Sequence, residues 1–219
     1  MGSGIAQIAA QAGHEVHLVD AIEGAAAGAQ ARIGTTLASL ATKGRITSGQ
    51  AEAAGAHLSI ASSIGDLPQC ALVIEAIRED LADKRALFAA LAESQPAGTL
   101  LASNTSSLDI ERIAQGLLHP GRVLGLHFFN PPPRMRLVEV IRGKATSDES
   151  LAAAEELMRT WGKTTVRCTS TPGFIVNRVA RPFYGEAQRM VEAGVADAAT
   201  IDFAIREIGG FRMGPMELT

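Results

Sequence analysis

The first twenty residues, MGSGIAQIAAQAGHEVHLVD (1–20), decide how the rest of the chain is read. From Gly4 to Ala12, small and apolar residues recur at helical spacing, and Gly13 is the residue type that closes a helix in a left-handed turn. Glu15 to Asp20 then alternates and ends on an acid, which suits a short buried strand whose last residue reaches a ligand at its carboxyl end. The same alternation continues. Ala, Gly and Leu dominate 22–40, a long helix closed by Lys43-Gly44, and Thr47 or Ser48 is placed to cap a shorter helix ending near Gly55. Apolar runs at 58–61, 71–74 and 99–102 read as strands, with a helical pattern over 81–92. Strands alternating with helices favour parallel pairing through right-handed crossovers, hence a doubly wound α/β sheet.

Beyond this the pattern changes. Two strand-like runs, 122–128 and 136–141, flank Asn130-Pro131-Pro132-Pro133, a rigid extended turn; a helix (148–161) and a strand (164–168) follow. Pro172-Gly173 breaks the chain before a mostly helical stretch, 174–208, so the expected boundary divides residues 1–171 from 172–219. A length of 219 residues with 47% hydrophobic, 20% charged and 4% aromatic residues suits one globular domain and part of a second. A net charge of −3 without a Lys/Arg cluster argues against nucleic acid, and no apolar run approaches the ~18 residues of a membrane span. Cys70 and Cys168, far apart and each in an apolar stretch, read as buried thiols rather than as a disulfide or a metal site, which fits a reducing cytoplasm. The first residues lack the basic segment and apolar core of a secretion signal.

Several residues have chemical potential. Gly2 opens a helix, and Asp20 follows it by 18 positions, close to the ~20 that separate a dinucleotide-binding glycine turn from the acid on the adenosine ribose. The alternative is that glycines begin many helices and Asp20 starts a turn. Ser103-Asn104-Thr105-Ser106-Ser107 follows a strand and precedes a helical pattern beginning at Leu108; a helix cap accounts for one or two of these hydroxyls, not for all. His127 sits in an apolar run, where a lone histidine is commonly a hydrogen-bonded core residue. Glu139, on the next strand across the proline turn, could face it, fix its tautomer and support its charged form, making a general-base pair. Asn177 follows the Pro172-Gly173 break and could donate its amide to a substrate carbonyl; alone it reads as a helix-surface residue.

Assembled in order, Met1-Gly2-Ser3-Gly4-Ile5-Ala6, Ser103-Asn104-Thr105-Ser106-Ser107-Leu108, His127-Phe128-Phe129-Asn130-Pro131, Leu137-Val138-Glu139-Val140 and Thr171-Pro172-Gly173-Phe174-Ile175-Val176-Asn177-Arg178 resemble the NAD-dependent L-3-hydroxyacyl-CoA dehydrogenase family over nearly the whole chain. The resemblance implies a Rossmann-like sheet followed by the start of an all-α C-terminal domain. It makes His127 the base for the C3 hydroxyl, Glu139 its support, and Ser106 and Asn177 the holders of the substrate oxygen. NAD would lie along Met1, Gly2, Asp20, Glu79, Lys84, Ser106 and Asn130. An acid at Asp20 repels a 2′-phosphate and so disfavours NADP. Thr36 and Lys43, on the helical excursion, would meet the CoA portion of an acyl-CoA substrate, although Lys43 also reads as a solvated helix end.

The resemblance further implies a homodimer formed through the helical domain. The stretches 181–186 and 209–215 resemble the branch acting on 3-hydroxyadipyl-CoA or 3-hydroxybutyryl-CoA. Arg136 stands where the family often has Lys. The family's strand and glycine turn before Gly2, and its helices after Thr219, lead to the expectation that both ends are truncated and that residues 1–219 alone bind NAD poorly. Two other readings stay open: another NAD-dependent 3-hydroxyacid dehydrogenase, disfavoured because such relatives use a Lys base and residues 103–142 contain none, and a non-catalytic NAD- or CoA-binding relative.

Overall fold

The computed structural model describes residues 1–218. The chain divides into two units, Met1–Thr171 and Pro172–Thr219. In the first, helix α1 (Gly2–Gln11) leads into strand β1 (Val16–Leu18); helices α2 (Ala25–Thr42) and α3 (Ser48–Ala56) follow, and β2 (Leu58–Ile60) returns parallel to β1. Next come β3 (Leu72–Glu75), α4 (Leu81–Ser94), β4 (Leu100–Ser103), α5 (Ile110–Ala114), β5 (Val123–Phe128), β6 (Leu137–Arg142), α6 (Asp148–Thr160) and β7 (Thr164–Thr169). The later strands form one sheet in the order β3-β4-β5-β6-β7, while β1 and β2 form a separate parallel pair. The fold is thus α/β with a Rossmann-like parallel core and a helical second unit.

Local chemistry sets the helix starts. Thr47 and Gln50 make a reciprocal capping box at α3, and Asp80, Asp109 and Ser147 cap α4, α5 and α6 with their side-chain oxygens. Two starts differ from the sequence reading. Helix α2 begins at Ala25 because Gly24, at φ 74°, holds the chain in the left-handed region, with Asp20 closing a turn onto the Ile22 N–H just before. Helix α5 begins at Ile110 rather than Leu108, because Thr105 captures the Leu108 N–H in the preceding loop and Asp109 is the cap.

The change of pattern after β4 corresponds to a change of pairing: β6 runs antiparallel to β5. The intervening residues, 129–136, are too few for a crossover, which takes about a dozen or more, so the proline turn returns the chain directly beside its own strand. This reversal sets His127 opposite Glu139 in register. Side chains alternate across β5: Leu124, Leu126 and Phe128 join Val138 and Val140 in a core covered by Ile5 and Ile8 of α1 and Leu151, Ala154 and Met158 of α6. Each such buried side chain larger than alanine contributes about 1.5–3 kcal/mol. Because the period is two, a one-residue slip of β5 would exchange this core face for the one carrying His127, so burial of the leucines fixes the histidine's direction.

On the His127 face, Gly125 is where β5 approaches Ile141 of β6. A Cβ there would lie 2.7 Å from Ile141 Cδ1 and 2.8 Å from its Cβ. Gly125→Ala is therefore expected to destabilise the protein by about 1–3 kcal/mol through overpacking; an unchanged urea midpoint would show that the strands absorb the methyl group.

Helices α2 and α3 pack elsewhere. Ile33 and Leu37 of α2 meet Ala6 and Ala10 of α1, Ala54 of α3 and Leu58 of β2 in a second core. The second unit contains α7 (Val176–Glu192), with Pro182 inside it, α8 (Ala198–Phe203) and one π turn, Ala204–Ile208. Its first residues include buried Phe174 at φ 47°, a left-handed conformation uncommon for a non-glycine residue. Among the described residues no helix is long and apolar enough to cross a membrane.

Candidate active site

The carboxyl ends of β3, β4 and β5 bring three groups of side chains together. The first is His127 with Glu139. His127 Nδ1 lies 2.6 Å from Glu139 Oε2, with His127 6% exposed and Glu139 fully buried. If Nδ1 carries the proton it donates to the carboxylate, and Nε2 is left as the acceptor, the orientation required of a general base. The Phe129 ring, 4.6 Å from the imidazole centroid to centroid, shields one side. Low exposure keeps water from weakening the charge that a proton on Nε2 would create opposite Glu139.

The second group is the loop after β4. Asn104 Oδ1 accepts the Phe128 N–H at 2.9 Å, and the Asn104 N–H donates to the Glu75 carbonyl at 2.8 Å, tying the loop to the strand end beside His127. Glu79 Oε1 then gathers the loop: it accepts the Ser106 N–H at 2.9 Å, the Ser107 N–H at 3.2 Å and the Thr105 hydroxyl at 2.5 Å. Burial pushes the Glu79 carboxyl up, but the Thr105 and Ser106 donors and the Lys84 charge outweigh it and hold it below the usual carboxylate range. Its contribution to stability is therefore present above the ordinary glutamate value and lost as pH falls through the lowered one. Ser106 is half-buried on this clamped loop, its hydroxyl donating to Glu79 Oε1 at 3.5 Å.

Lys84, expected along a cofactor's path, has a side chain only 1% exposed, and its ammonium lies 2.6 Å from Glu75 Oε1 and 3.3 Å from Glu79 Oε2. The ammonium is thus enclosed between a buried carboxylate and a half-exposed one. Glu75, which is buried, escaped the sequence reading. The signal for Glu75 was present: it is an acid closing an apolar strand, as Asp20 follows β1.

The third group surrounds the start of α1. Met1 caps the helix with no side-chain bond; its carbonyl accepts the Gly4 N–H at 2.9 Å and the Ile5 N–H at 3.2 Å, and a helix start of this kind favours an anion. Gly4 lets this end lie against the proline turn, since a Cβ there would come within 2.9 Å of Pro132 Cδ. Gly2 approaches Ala76, just past β3, where an added Cβ would lie 3.7 Å from the Ala76 Cβ. Asp20 is exposed two residues beyond β1, one carboxylate oxygen taken by the Ile22 N–H, and Asn130 is exposed two residues beyond β5. Helix amides for a diphosphate, an acid for a ribose diol and the Ser106 loop all gather at strand carboxyl ends, a donor set that fits a dinucleotide.

The remaining expected residues lie on other elements. Thr36 is exposed on α2 with its hydroxyl donated to the Arg32 carbonyl, and Lys43 is the exposed C-cap of the same helix, where a cation also complements the helix dipole. Asn177 belongs to the second unit, as the second residue of α7. Cys168 on β7 is pushed up to about 11 by burial and by the charge of Glu139, and so is no nucleophile near neutral pH.

Comparison with known proteins adds the following. Residues 1–171 match the family described as "3-hydroxyacyl-CoA dehydrogenase, NAD binding domain", and residues 173–219 match "3-hydroxyacyl-CoA dehydrogenase, C-terminal domain". The chain is 50% identical over 219 residues to 3-hydroxyadipyl-CoA dehydrogenase of Escherichia coli K12, covering 100% of this chain and 46% of that protein. It is 42% identical over 218 residues to a probable 3-hydroxybutyryl-CoA dehydrogenase of Bacillus subtilis, covering 100% of this chain and 76% of the relative. A crystal structure of 3-hydroxybutyryl-CoA dehydrogenase from E. coli K12 superposes with a TM-score of 0.98 at 50% identity, across 100% of this chain and 46% of that one. The chain thus spans less than half the length of the E. coli protein.

Proposed function

The chain belongs to the 3-hydroxyacyl-CoA dehydrogenase family, and from that premise we propose that it oxidises the C3 hydroxyl of an L-3-hydroxyacyl-CoA to the 3-oxoacyl-CoA with NAD+. The observation that carries this reading is the buried His127–Glu139 pair at 2.6 Å. NAD+ supplies the hydride acceptor when bound; Met1 and Gly2 at the start of α1, Asp20, Glu79, Lys84, Ser106 and Asn130 would hold it.

His127 accepts the C3 hydroxyl proton at Nε2, and Glu139 holds the Nδ1 proton and supports the imidazolium. Ser106, on its clamped loop, donates to the substrate oxygen, and Asn177 supplies a second amide donor. Thr36 and Lys43 serve the CoA portion. The printed names of the relatives support 3-hydroxyadipyl-CoA and 3-hydroxybutyryl-CoA as the substrates to try first. A degradative role, of the fatty-acid or aromatic-acid type, follows from that chemistry.

Asp20 supports NAD over NADP, because its carboxylate would repel a 2′-phosphate. We also propose a cytoplasmic homodimer. The free thiols of Cys70 and Cys168 fit a reducing compartment, and the second unit exposes Val179, Phe203, Ile208 and Phe211. The test of the activity is NADH absorbance with (S)-3-hydroxybutyryl-CoA and with 3-hydroxyadipyl-CoA. NAD-dependent turnover of either, at least ~10-fold faster than with NADP, is the expected result. Absence of turnover with every 3-hydroxyacyl-CoA would favour a binding-only relative.

A further inference from the structure

Glu75 lies where the carboxyl ends of β3, β4 and β5 meet, and no part of its side chain reaches solvent. Its Oε1 accepts from the Lys84 ammonium at 2.6 Å and from the Ile77 N–H at 2.7 Å, and its Oε2 from the Ser103 hydroxyl at 2.6 Å. Lys84 continues to Glu79 Oε2, and Glu79 Oε1 holds the N–H groups of Ser106 and Ser107. The path runs from a sealed carboxylate, through a sealed ammonium, to a half-exposed carboxylate and then to the loop carrying Ser106. We propose that Glu75 is a positioning residue for the Ser106 loop, acting through Lys84 and Glu79. The purpose of that positioning rests on the dehydrogenase reading above; the coupling itself rests on the geometry.

A buried ammonium persists only beside compensating carboxylates. With both in place, the Lys84 charge is shared, and Glu79 keeps enough negative charge to hold several loop donors at once. Without the Glu75 charge, Glu79 becomes the sole counterion of Lys84. The ammonium then competes with the Ser106 and Ser107 amides for the same carboxylate, and the loop loosens; without Lys84, Glu79 loses the anchor on its Oε2 and the loop loosens likewise. Glu75 also reaches the other walls of the site: its carbonyl accepts the Asn104 N–H, and Asn104 holds the Phe128 N–H beside His127. Replacing the Lys84–Glu75 pair with apolar residues would serve packing equally well, so a network that ends on the Ser106 loop is better explained by alignment than by stability alone.

The test uses the full chain carrying Glu75→Gln, Lys84→Met, or both. Gln keeps the size and the accepting oxygen of Glu75 but removes its charge. The double variant buries no charge at this point and stays folded if either single variant does not. Amide hydrogen exchange at Ser106 and Ser107, read by NMR, is expected to speed up at least ~10-fold in each single variant, the loss associated with a charge-assisted hydrogen bond. Exchange at Leu101 and Ala102 in β4 is expected to stay unchanged. The double variant is expected to exchange no faster than Lys84→Met, because the two residues act on one path. In the enzyme assay, kcat is expected to fall at least ~10-fold while the KM for NAD moves little, as for an interaction realised in the transition state. Unchanged exchange at Ser106 and Ser107, a uniform increase across β4 and α4, or additive single effects would each overturn the proposal. Failure of the wild type to form NADH would instead sink the dehydrogenase reading, while the exchange data would still decide the coupling.

Discussion

His127→Gln is expected to lower kcat about 10²–10⁴-fold, equivalent to about 3–5 kcal/mol of barrier, with the KM for NAD little changed. Gln is close to the imidazole in reach and can still accept a hydrogen bond, but it cannot take up a proton near neutral pH. The substitution thus removes the chemistry while retaining the contact. Its site is suited to that comparison, because β5 is held by the leucines on its opposite face rather than by the histidine. A urea titration separates this role from a structural one: the rate deficit should persist under conditions where the variant is fully folded. A variant with near-normal kcat would make His127 a core histidine and leave the reaction without its base.

How far such a site can be read in sequence depends on the range of the forces that build it. The alternation of helix and strand was legible because hydrophobic periodicity is local: α1, the Thr47 cap of α3 and the runs that became β3, β4 and β5 stand in the order the pattern gives. The reversal between β5 and β6 was legible only in part. The triple proline marked a turn, but the antiparallel pairing follows from the shortness of residues 129–136, a constraint of chain length rather than of residue type. The start of α2 was misread because Gly24 resembles any other small residue in a helix-rich stretch until its backbone angle is known. The facing of His127 and Glu139 could be foreseen as one option, since strands joined across a tight turn bring specific residues opposite each other.

Burial of charge was the least legible feature. Lys84 is four residues into a helix, a position where lysine is ordinarily solvated, and nothing local distinguishes it. Its enclosure depends on Glu75, nine positions earlier in the chain, and on Ser103, which fills the other oxygen of Glu75 from the neighbouring strand. Those contacts exist because β3 and β4 pair in register, Glu75 beside Ser103. Long-range pairing of this kind is set by the whole sheet, so the burial of a charged side chain is not written in its local sequence.

Glu139→Gln tests the other half of the base, and its effect on rate should be about as large, roughly 10²–10⁴-fold in kcat, the order seen when the acid of a Ser-His-Asp triad is neutralised. The carboxylate does two things that an amide cannot do together. It accepts only, so the imidazole beside it must place its proton on Nδ1 and leave Nε2 free. It is also negative, so a proton arriving at Nε2 forms an imidazolium with a counterion 2.6 Å from its other nitrogen. Gln can present either its oxygen or its NH₂ group to Nδ1; the second choice puts the ring proton on Nε2, where it blocks the base.

The expected signature is a mixture of tautomers in the ¹⁵N spectrum of the imidazole, alongside the lower kcat. Stability should fall by a smaller amount, about 1–3 kcal/mol for a buried hydrogen bond that is weakened rather than deleted. That difference separates chemistry from folding: at a temperature where urea titration shows the variant fully folded, the rate deficit should persist. If restoring the fold restored the rate, Glu139 would be a structural acid, and His127 would set its tautomer by some other contact.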